Sequence, residues 1–355
     1  MTDITSIQLA TAFLLGGAGL LFTMILTPIY TYFAYKYKFW KKQREEDMSG
    51  EKLAVFTKLH AHKFRRNIPT MAGLVFVLAI SIVTLIFNFG SPDDPNRAYT
   101  WLPLVALIVG AVVGLIDDAI NLISDGSGRA GMRPLVKFTL ITLAGLVFGW
   151  FFYTRLGDIA TVIQIPFVGG WEVGWFIIPL FGFIVVATGN AVNITDGLDG
   201  LSGGLLMMAF GSFGVIALLQ GNFPLAGFCF TVIGALLSYL WFNVFPARFF
   251  MGDVGSFALG ASLGVVAMLT DSIFLLPIIA GVFVVETASA IVQIFWKKVF
   301  KKRILKSAPL HQHLEASGWP ETKITMRFWI IGGVLAVLGL ILALEGGIIQ
   351  NVISQ

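Results

Sequence analysis

The stretch Leu102-Pro-Leu-Val-Ala-Leu-Ile-Val-Gly-Ala-Val-Val-Gly-Leu-Ile116 carries no charged side chain and then runs directly into Asp117-Asp118-Ala-Ile-Asn121. Its apolar part approaches the ~20 residues that a helix needs to cross a bilayer. The run is continuously apolar, whereas a membrane barrel strand alternates over about ten residues. Two carboxylates at the end of such a helix cost free energy, and ionisable groups so placed mark a functional site or a partner.

The rest of the chain repeats the pattern. Ile7 to Tyr35 and Thr325 to Ala343 are similar apolar runs, and over 355 residues 57% are hydrophobic and only 12% charged. An ordinary soluble domain carries ~25% charged residues, so water is not the main solvent. The expected fold class is all-α: a polytopic membrane protein of one domain, residues 1–355. Polar interruptions divide the sequence into about ten candidate spans of the required length, beginning near residues 7, 70, 100, 134, 174, 203, 224, 255, 273 and 325. An even number places both termini on one side. The first run lacks the short apolar core and small-residue cleavage site of a secretory signal, so it reads as a retained span. Cys229 is the single cysteine, which excludes an intramolecular disulfide or a thiolate metal site.

Orientation follows from the basic residues. The connection from Lys36 to Asn67 holds Lys36, Lys38, Lys41, Lys42, Arg44, Lys52, Lys58, Lys63, Arg65 and Arg66, and that from Lys297 to Lys323 holds seven more Lys and Arg. Short loops rich in Lys and Arg stay in the cytoplasm. Counting alternately, the opposite loops hold little beyond Arg97 and Arg155, so both termini are expected to face the periplasm or exterior. Most of these cations serve orientation alone, and a minority can meet anionic lipid heads or a phosphorylated substrate at ~1 kcal/mol per charge. They sit beside spans rather than in a separate basic domain, so nucleic acid is not an expected partner. There is no fixed-period repeat, low-complexity linker or GxxxxGK[ST] phosphate loop.

Three polar clusters fall on the cytoplasmic side of the count. The first is Asp117-Asp118, whose like charges raise one another's pKa unless a cation or proton separates them. It reads as a metal or acid/base site, or as a solvated helix end. The second is Asn190-Ala-Val-Asn193-Ile-Thr-Asp196-Gly-Leu-Asp199-Gly200. If helical, it puts Asn193, Asp196 and Asp199 on one face, and its oxygens suit Mg2+ and ribose or phosphate hydroxyls. The third is Asn243 to Ser256, where Gly252 and Gly255 flank Asp253 at an expected helix start, a place for a divalent cation beside a phosphate or for a plain helix cap. One site holding Mg2+ and a diphosphate accounts for all three together.

Two further features complete the set. His311-Gln-His313 lies in the last cytoplasmic loop without a nearby cysteine or HExxH spacing, so hydrogen bonding to an anionic nucleotide is favoured over zinc. Glu286 lies within an apolar span and is read first as a buried structural partner.

With these motifs in view, the chain resembles the phospho-N-acetylmuramoyl-pentapeptide-transferase family, within the polyprenyl-phosphate N-acetylhexosamine-1-phosphate transferase superfamily. The resemblance runs from Pro69 to about Ile330. Its superfamily-wide parts are Pro69-Thr-Met-Ala-Gly73, Asp117-Asp118, Asn193 to Asp199 and Gly252-Asp253. The part specific to this family is Val285-Glu286 through Lys302-Arg303, Ala308-Pro-Leu-His311, Gly318-Trp319-Pro-Glu321 and Arg327-Phe-Trp-Ile330.

The resemblance implies a ten-helix fold with a cytoplasmic active-site cleft, a homodimer in the bacterial inner membrane, and dependence on Mg2+. The implied reaction joins UDP-N-acetylmuramoyl-pentapeptide to undecaprenyl phosphate, giving lipid I and UMP. By the same resemblance Asp253 is the Mg2+ ligand and Asp117 the base or orienting group for the lipid phosphate, with Asp118 beside them as a third catalytic carboxylate. Asp118, Asn190, Asn193, Asp196 and Asp199 line the cleft, and Asn243, Phe250, His311 and His313 hold the uridine diphosphate end. Arg65 and Lys137 are the implied basic contacts.

The sequence departs from the family at three places. The histidine triplet reads His311-Gln312-His313, a lysine usual three residues after the aspartate pair is Asn121, and Arg65 stands for a lysine. Lys137 can supply the diphosphate contact that Asn121 cannot. Two other readings are a transferase using UDP-N-acetylglucosamine and a membrane transporter. The His311 to Trp319 segment argues against the first. Transporter sites sit near the midplane between repeats, which does not match acidic clusters at one face.

Overall fold

A computed structural model describes residues 6–40, 67–88, 97–123, 131–156 and 161–349; Arg65 and most of the first basic connection lie outside the described residues. Within hydrocarbon a backbone has no water to satisfy its N–H and C=O groups, so each apolar run bonds them internally as helix. In chain order these are α1 (Ser6–Lys36), α2 (Gly73–Phe87), α3 (Ala98–Ile123), α4 (Pro134–Arg155), α5 (Ile177–Thr195), α6 (Leu201–Leu219), α7 (Phe223–Asn243), α8 (Gly252–Leu269), α9 (Leu276–Ile279), α10 (Gly281–Phe300), α11 (Leu310–Ala316) and α12 (Glu321–Glu345). The chain is an all-α polytopic membrane protein.

Among the described residues, eight helices are long and apolar enough to cross a membrane: α1, α3, α4, α5 with the turn before it, α6, α7, α8 and α12. Helix α2 has 15 residues, and α10 carries Glu286, Lys297 and Lys298. A helix begins within a few residues of each of the ten expected positions, although the ninth is divided at Ala280 into α9 and α10.

The connection between α4 and α5 contains an element the sequence reading did not anticipate, an antiparallel hairpin of β1 (Val162–Ile165) and β2 (Gly169–Glu172) with Ile163 opposite Trp171. The Gln164 amide donates to Asp271 Oδ1 at 3.1 Å and the Phe167 amide to the Gly346 carbonyl at 3.0 Å. These bonds tie the hairpin to the ends of α8 and α12. Burial pushes the Asp271 carboxyl up to about 7, against the opposing effect of the Gln164 amide.

Helix α8 is the centre of the bundle. Every one of its residues is buried except Asp253. Such enclosure requires neighbours at backbone distance, which small residues permit. A Cβ on Gly110 or Gly114 of α3 would meet the backbone of Phe257 or Asp253, one on Gly73 of α2 would meet Gly255, and one on Gly260 of α8 would meet Gly189 of α5. On the far side of the bundle α1 packs along α7, where Gly16 and Gly234 are in the same close approach.

Alternation then gathers the ends of α3, α5 and α7 with the starts of α2, α6, α8 and α12. The bonds that join them are Val254 N to Asp118 Oδ2, Asn193 Nδ2 to Ser256 Oγ, Gly200 N to Asn243 Oδ1, Gly73 N to the Met251 carbonyl and Trp329 Nε1 to the Gly200 carbonyl. The three polar clusters therefore share one end of the bundle, and the hairpin and Asp271 occupy the other.

Two outcomes are expected. Gly114→Val should lower the thermal midpoint in detergent by an overpacking cost of about 1–3 kcal/mol or more, whereas Gly17→Ala, with nothing within 4 Å of the added Cβ, should not; equal midpoints would mean that the α3–α8 contact is not tight. For Asp271, the raised folded-state pKa means that its contribution is fully present below its ordinary value of 3.8 and lost as pH rises through about 7. Asp271→Asn should therefore gain on the wild type in thermal midpoint between pH 4 and pH 7 and hold that gain above it.

Candidate active site

The end of α3 brings Asp117 and Asp118 against the start of α8, and each carboxylate is held differently. Asp118 is fully buried, and its Oδ2 accepts from the Val254 amide at 3.1 Å, capping the first turn of α8, where the helix dipole favours negative charge. Gly252 adopts a left-handed φ of +71° there, and a Cβ on it would collide with Asp118 Oδ2 and Thr70 Oγ1. Asp117 Oδ1 accepts from the Met132 amide at 2.7 Å and its Oδ2 from Asn121 Nδ2 at 3.1 Å. The asparagine that replaces a lysine of the resembled family thus orients the first aspartate.

Lys137, in the first turn of α4, joins the two helices electrostatically. Its ammonium lies 2.5 Å from Asp253 Oδ2 and 3.3 Å from Asp117 Oδ2, over the face of Phe257 at 4.3 Å from the ring centroid. Pro134 at the first position of α4 presets the backbone there.

The Asn190 to Gly200 segment divides where α5 ends at Thr195, so Asp196 and Asp199 lie beyond the helix instead of on its face with Asn193. Asn193 reaches Ser256 of α8 at 2.9 Å. Asn190 donates to its own helix at Val186. Both asparagines and Asp196 remain partly exposed, and Asp196 Oδ1 accepts from Ser202 Oγ at 2.5 Å. Asp199 and Asn243 are buried instead. Asp199 Oδ2 accepts from the Ala247 amide at 2.9 Å, and the Asp199 amide donates to Glu321 Oε1 at 2.6 Å. Asn243 spans the Gly200 amide and the Phe249 carbonyl, each at 2.9 Å. These two residues fix the loop that carries Asp196. Phe250 contributes its backbone, bonding Pro69 and Ala72, while its ring stays partly exposed.

His311 and Glu286 form a buried pair, 1% and 0% exposed. Glu286 accepts at both oxygens, from the His311 amide at 3.0 Å and opposite Nδ1 at 2.8 Å. The other ring nitrogen, Nε2, has no hydrogen-bond partner among the described residues and faces Gly197, where a Cβ would displace it. His313 Nδ1 accepts from the Lys306 amide at 3.1 Å, so the two imidazoles are engaged separately and do not form a zinc pair. Glu286 is the buried structural partner the sequence suggested, here to His311, whereas the bonds of Ser202 to Asp196, Ser256 to Asn193 and Glu321 to the Asp199 amide are not announced by any spacing.

Among the described residues no group of three or more His, Cys, Asp or Glu side chains forms a closed metal cage. What the end of the bundle offers is an incomplete all-oxygen set, Asp117 and Asp253, already converging on one cation. Mg2+ is usually held in this way, by one or two carboxylates with water and substrate phosphates completing the shell.

Residues 100–271 match the family described as Glycosyl transferase family 4. A phospho-N-acetylmuramoyl-pentapeptide-transferase of Chloroflexus aggregans is 38% identical over 97% of this chain and 92% of its own. Relatives of the same name from Listeria welshimeri and Listeria monocytogenes are 38% and 37% identical, each over 91% of this chain and 95% of its own.

Removing Glu286 leaves the His311 amide and ring nitrogen without an acceptor in a buried site, at a cost of about 1–3 kcal/mol. Glu286→Ala should lower the thermal midpoint in detergent, and Glu286→Gln, which keeps one acceptor, should lower it less. An unchanged midpoint in the alanine variant would mean that the pair does not form.

Proposed function

Since the chain belongs to the phospho-N-acetylmuramoyl-pentapeptide-transferase family, we propose that it moves phospho-N-acetylmuramoyl-pentapeptide from UDP onto undecaprenyl phosphate, giving lipid I and UMP. It is a phospho-sugar transferase and a multi-pass membrane protein with a lipid-linked substrate. The observation that carries the fuller reading is the convergence of Asp117 and Asp253 on a single cation at the end of the bundle where Asn193, Asp196 and His311 also gather.

A phosphate monoester attacking a diphosphate is anion meeting anion, so catalysis here is mainly positioning and charge neutralisation. An oxygen of the acceptor phosphate forms a bond to the sugar-bearing phosphorus, the bond from that phosphorus to the bridging oxygen breaks, and UMP leaves with that oxygen. Asp253, with Asp117, would hold Mg2+, which supplies positive charge against the diphosphate. Asp117, fixed by Met132 and Asn121, orients the acceptor; little base strength is required, because the second pKa of a phosphate monoester is ~6. Lys137 supplies a further positive charge. Asn190, Asn193 and Asp196 face the substrate, and Asp118, Asp199 and Asn243 hold the frame that presents them. Phe250, His313 and the Nε2 atom of His311 serve the nucleotide end.

The remaining expectations belong to the same reading: a homodimer in the inner membrane, a cytoplasm-facing site and termini outside. Support comes from Lys297 and Lys298 in the last turn of α10, at the bundle end that holds the carboxylates, since cytoplasmic ends carry the Lys and Arg excess.

The test is UMP release in detergent with undecaprenyl phosphate and Mg2+, from UDP-N-acetylmuramoyl-pentapeptide beside UDP-N-acetylglucosamine. Release from the muramoyl donor alone, abolished by removing Mg2+ and by Asp253→Ala, is expected. Release only from UDP-N-acetylglucosamine would move the activity to that donor, and release undiminished in Asp253→Ala would remove Asp253 from the metal site.

A further inference from the structure

We infer that Lys137 is a place-holding cation: its ammonium occupies the position between Asp253 and Asp117 that the divalent ion takes, and metal entry transfers it from the carboxylates to the diphosphate of the donor. The inference rests on the reading of Asp253 as the metal ligand given above.

The geometry behind it is simple. Nζ lies 2.5 Å from Asp253 Oδ2 and 3.3 Å from Asp117 Oδ2, so the space between those two oxygens is filled. Mg2+ binds carboxylate oxygen at ~2.0–2.1 Å. An ion shared by the same two oxygens would therefore coincide with the ammonium, and both cannot stay. Asp117 at the end of α3 and Asp253 at the start of α8 face each other beside the buried Asp118, where like charges repel unless a cation or a proton stands between them. Lys137 thus keeps the site assembled before the metal arrives.

Displacement need not carry the lysine far. It is anchored in the first turn of α4, and the Phe257 ring face beneath Nζ is a surface on which a cation is stable. The displaced ammonium stays next to the new divalent ion, however, and two neighbouring cations repel. A nucleoside diphosphate relieves that repulsion by bringing the anionic oxygens the ammonium needs. Metal and diphosphate are therefore expected to bind cooperatively, and by linkage each must tighten the other by the same factor. Lys137 is in this respect a positioning residue whose charge sets the coupling.

The readout is Mn2+ binding to the full-length protein in detergent, followed by the electron paramagnetic resonance signal of the free ion, with and without UDP. Wild-type protein should bind Mn2+ weakly alone and more tightly with UDP. Lys137→Gln and Lys137→Met, which leave the carboxylates without their counter-ion, should bind Mn2+ alone about tenfold more tightly than wild type and lose most of the UDP effect, a change within the ~5–150-fold usual for coupled sites. Lys137→Arg, which keeps the charge, should bind Mn2+ no more tightly than wild type. A lysine that merely braced the fold would give the opposite sign, with weaker Mn2+ binding and a lower thermal midpoint in the neutral variants. Wild-type binding that the neutral variants do not exceed would overturn the exchange while leaving the metal site in place. Failure of the wild type to bind Mn2+ even with UDP would overturn the metal site itself, and the exchange with it.

Discussion

The contact on which the rest of the molecule depends is the approach of α3 to α8 at Gly110 and Gly114, where there is no room for a Cβ. Without it the aspartate pair that ends α3 could not stand beside the aspartate that starts α8, and no lysine could bridge them. Hydrocarbon offers no hydrophobic force to press helices together, so such contacts rest on close packing and on interhelical hydrogen bonds such as that from the Val254 amide to Asp118. The same small-residue logic repeats where α2 meets α8 at Gly73 and Gly255, and where α5 meets it at Gly189 and Gly260. A tightly held centre then makes a polar end affordable: the acidic groups there are presented to backbone amides, a serine hydroxyl, an asparagine or an ammonium, which offsets the desolvation cost of their charges.

How much of this was legible beforehand depended on rarity. Asp117, Asp118, Asp253 and the Asn190 to Asp199 group stood out because carboxylates and amides are uncommon in a chain with 12% charged residues, and alternation of the spans was enough to bring them to one end. Their individual roles were less readable. Thr195 ends α5, which turns Asp196 and Asp199 off the face they would share in a continuous helix. Asp199 by its spacing and Asn243 by the family resemblance read as substrate contacts, yet Asp199 Oδ2 and Asn243 Oδ1 each accept from a backbone amide. Ser256 and Glu321 lie within motifs the sequence singles out, but their bonds to Asn193 and to the Asp199 amide, like that of Ser202 to Asp196, are identified only by the fold. The hairpin is not legible in the sequence because four-residue strands are too short for a clear alternation, and Asp271, which anchors it, lies far along the chain.

Glu286 illustrates the same limit in the other direction. An acidic residue inside an apolar span suggests either catalysis or a buried partner, and the sequence alone does not choose. In the fold it accepts from both the backbone and the ring of His311, an arrangement that fixes the imidazole and leaves one nitrogen toward Gly197. Structure and chemistry are not alternatives here: the carboxylate is structural because it orients a group that faces the site.

Helix α8 exposes nothing but Asp253, whereas α1, α4 and α12 turn most of their surface outward. Lipid therefore touches the periphery and not the axis. A thicker or thinner bilayer is accommodated by tilting or kinking of the helices that feel the mismatch, at fractions of a kcal/mol per Å, and those are the outer ones. The helix carrying Asp253 is enclosed by protein, whereas Lys137, which bridges Asp253 and Asp117, stands on α4, one of the outer helices, so a change in bilayer thickness reaches the site through the cation before it reaches the carboxylate of α8.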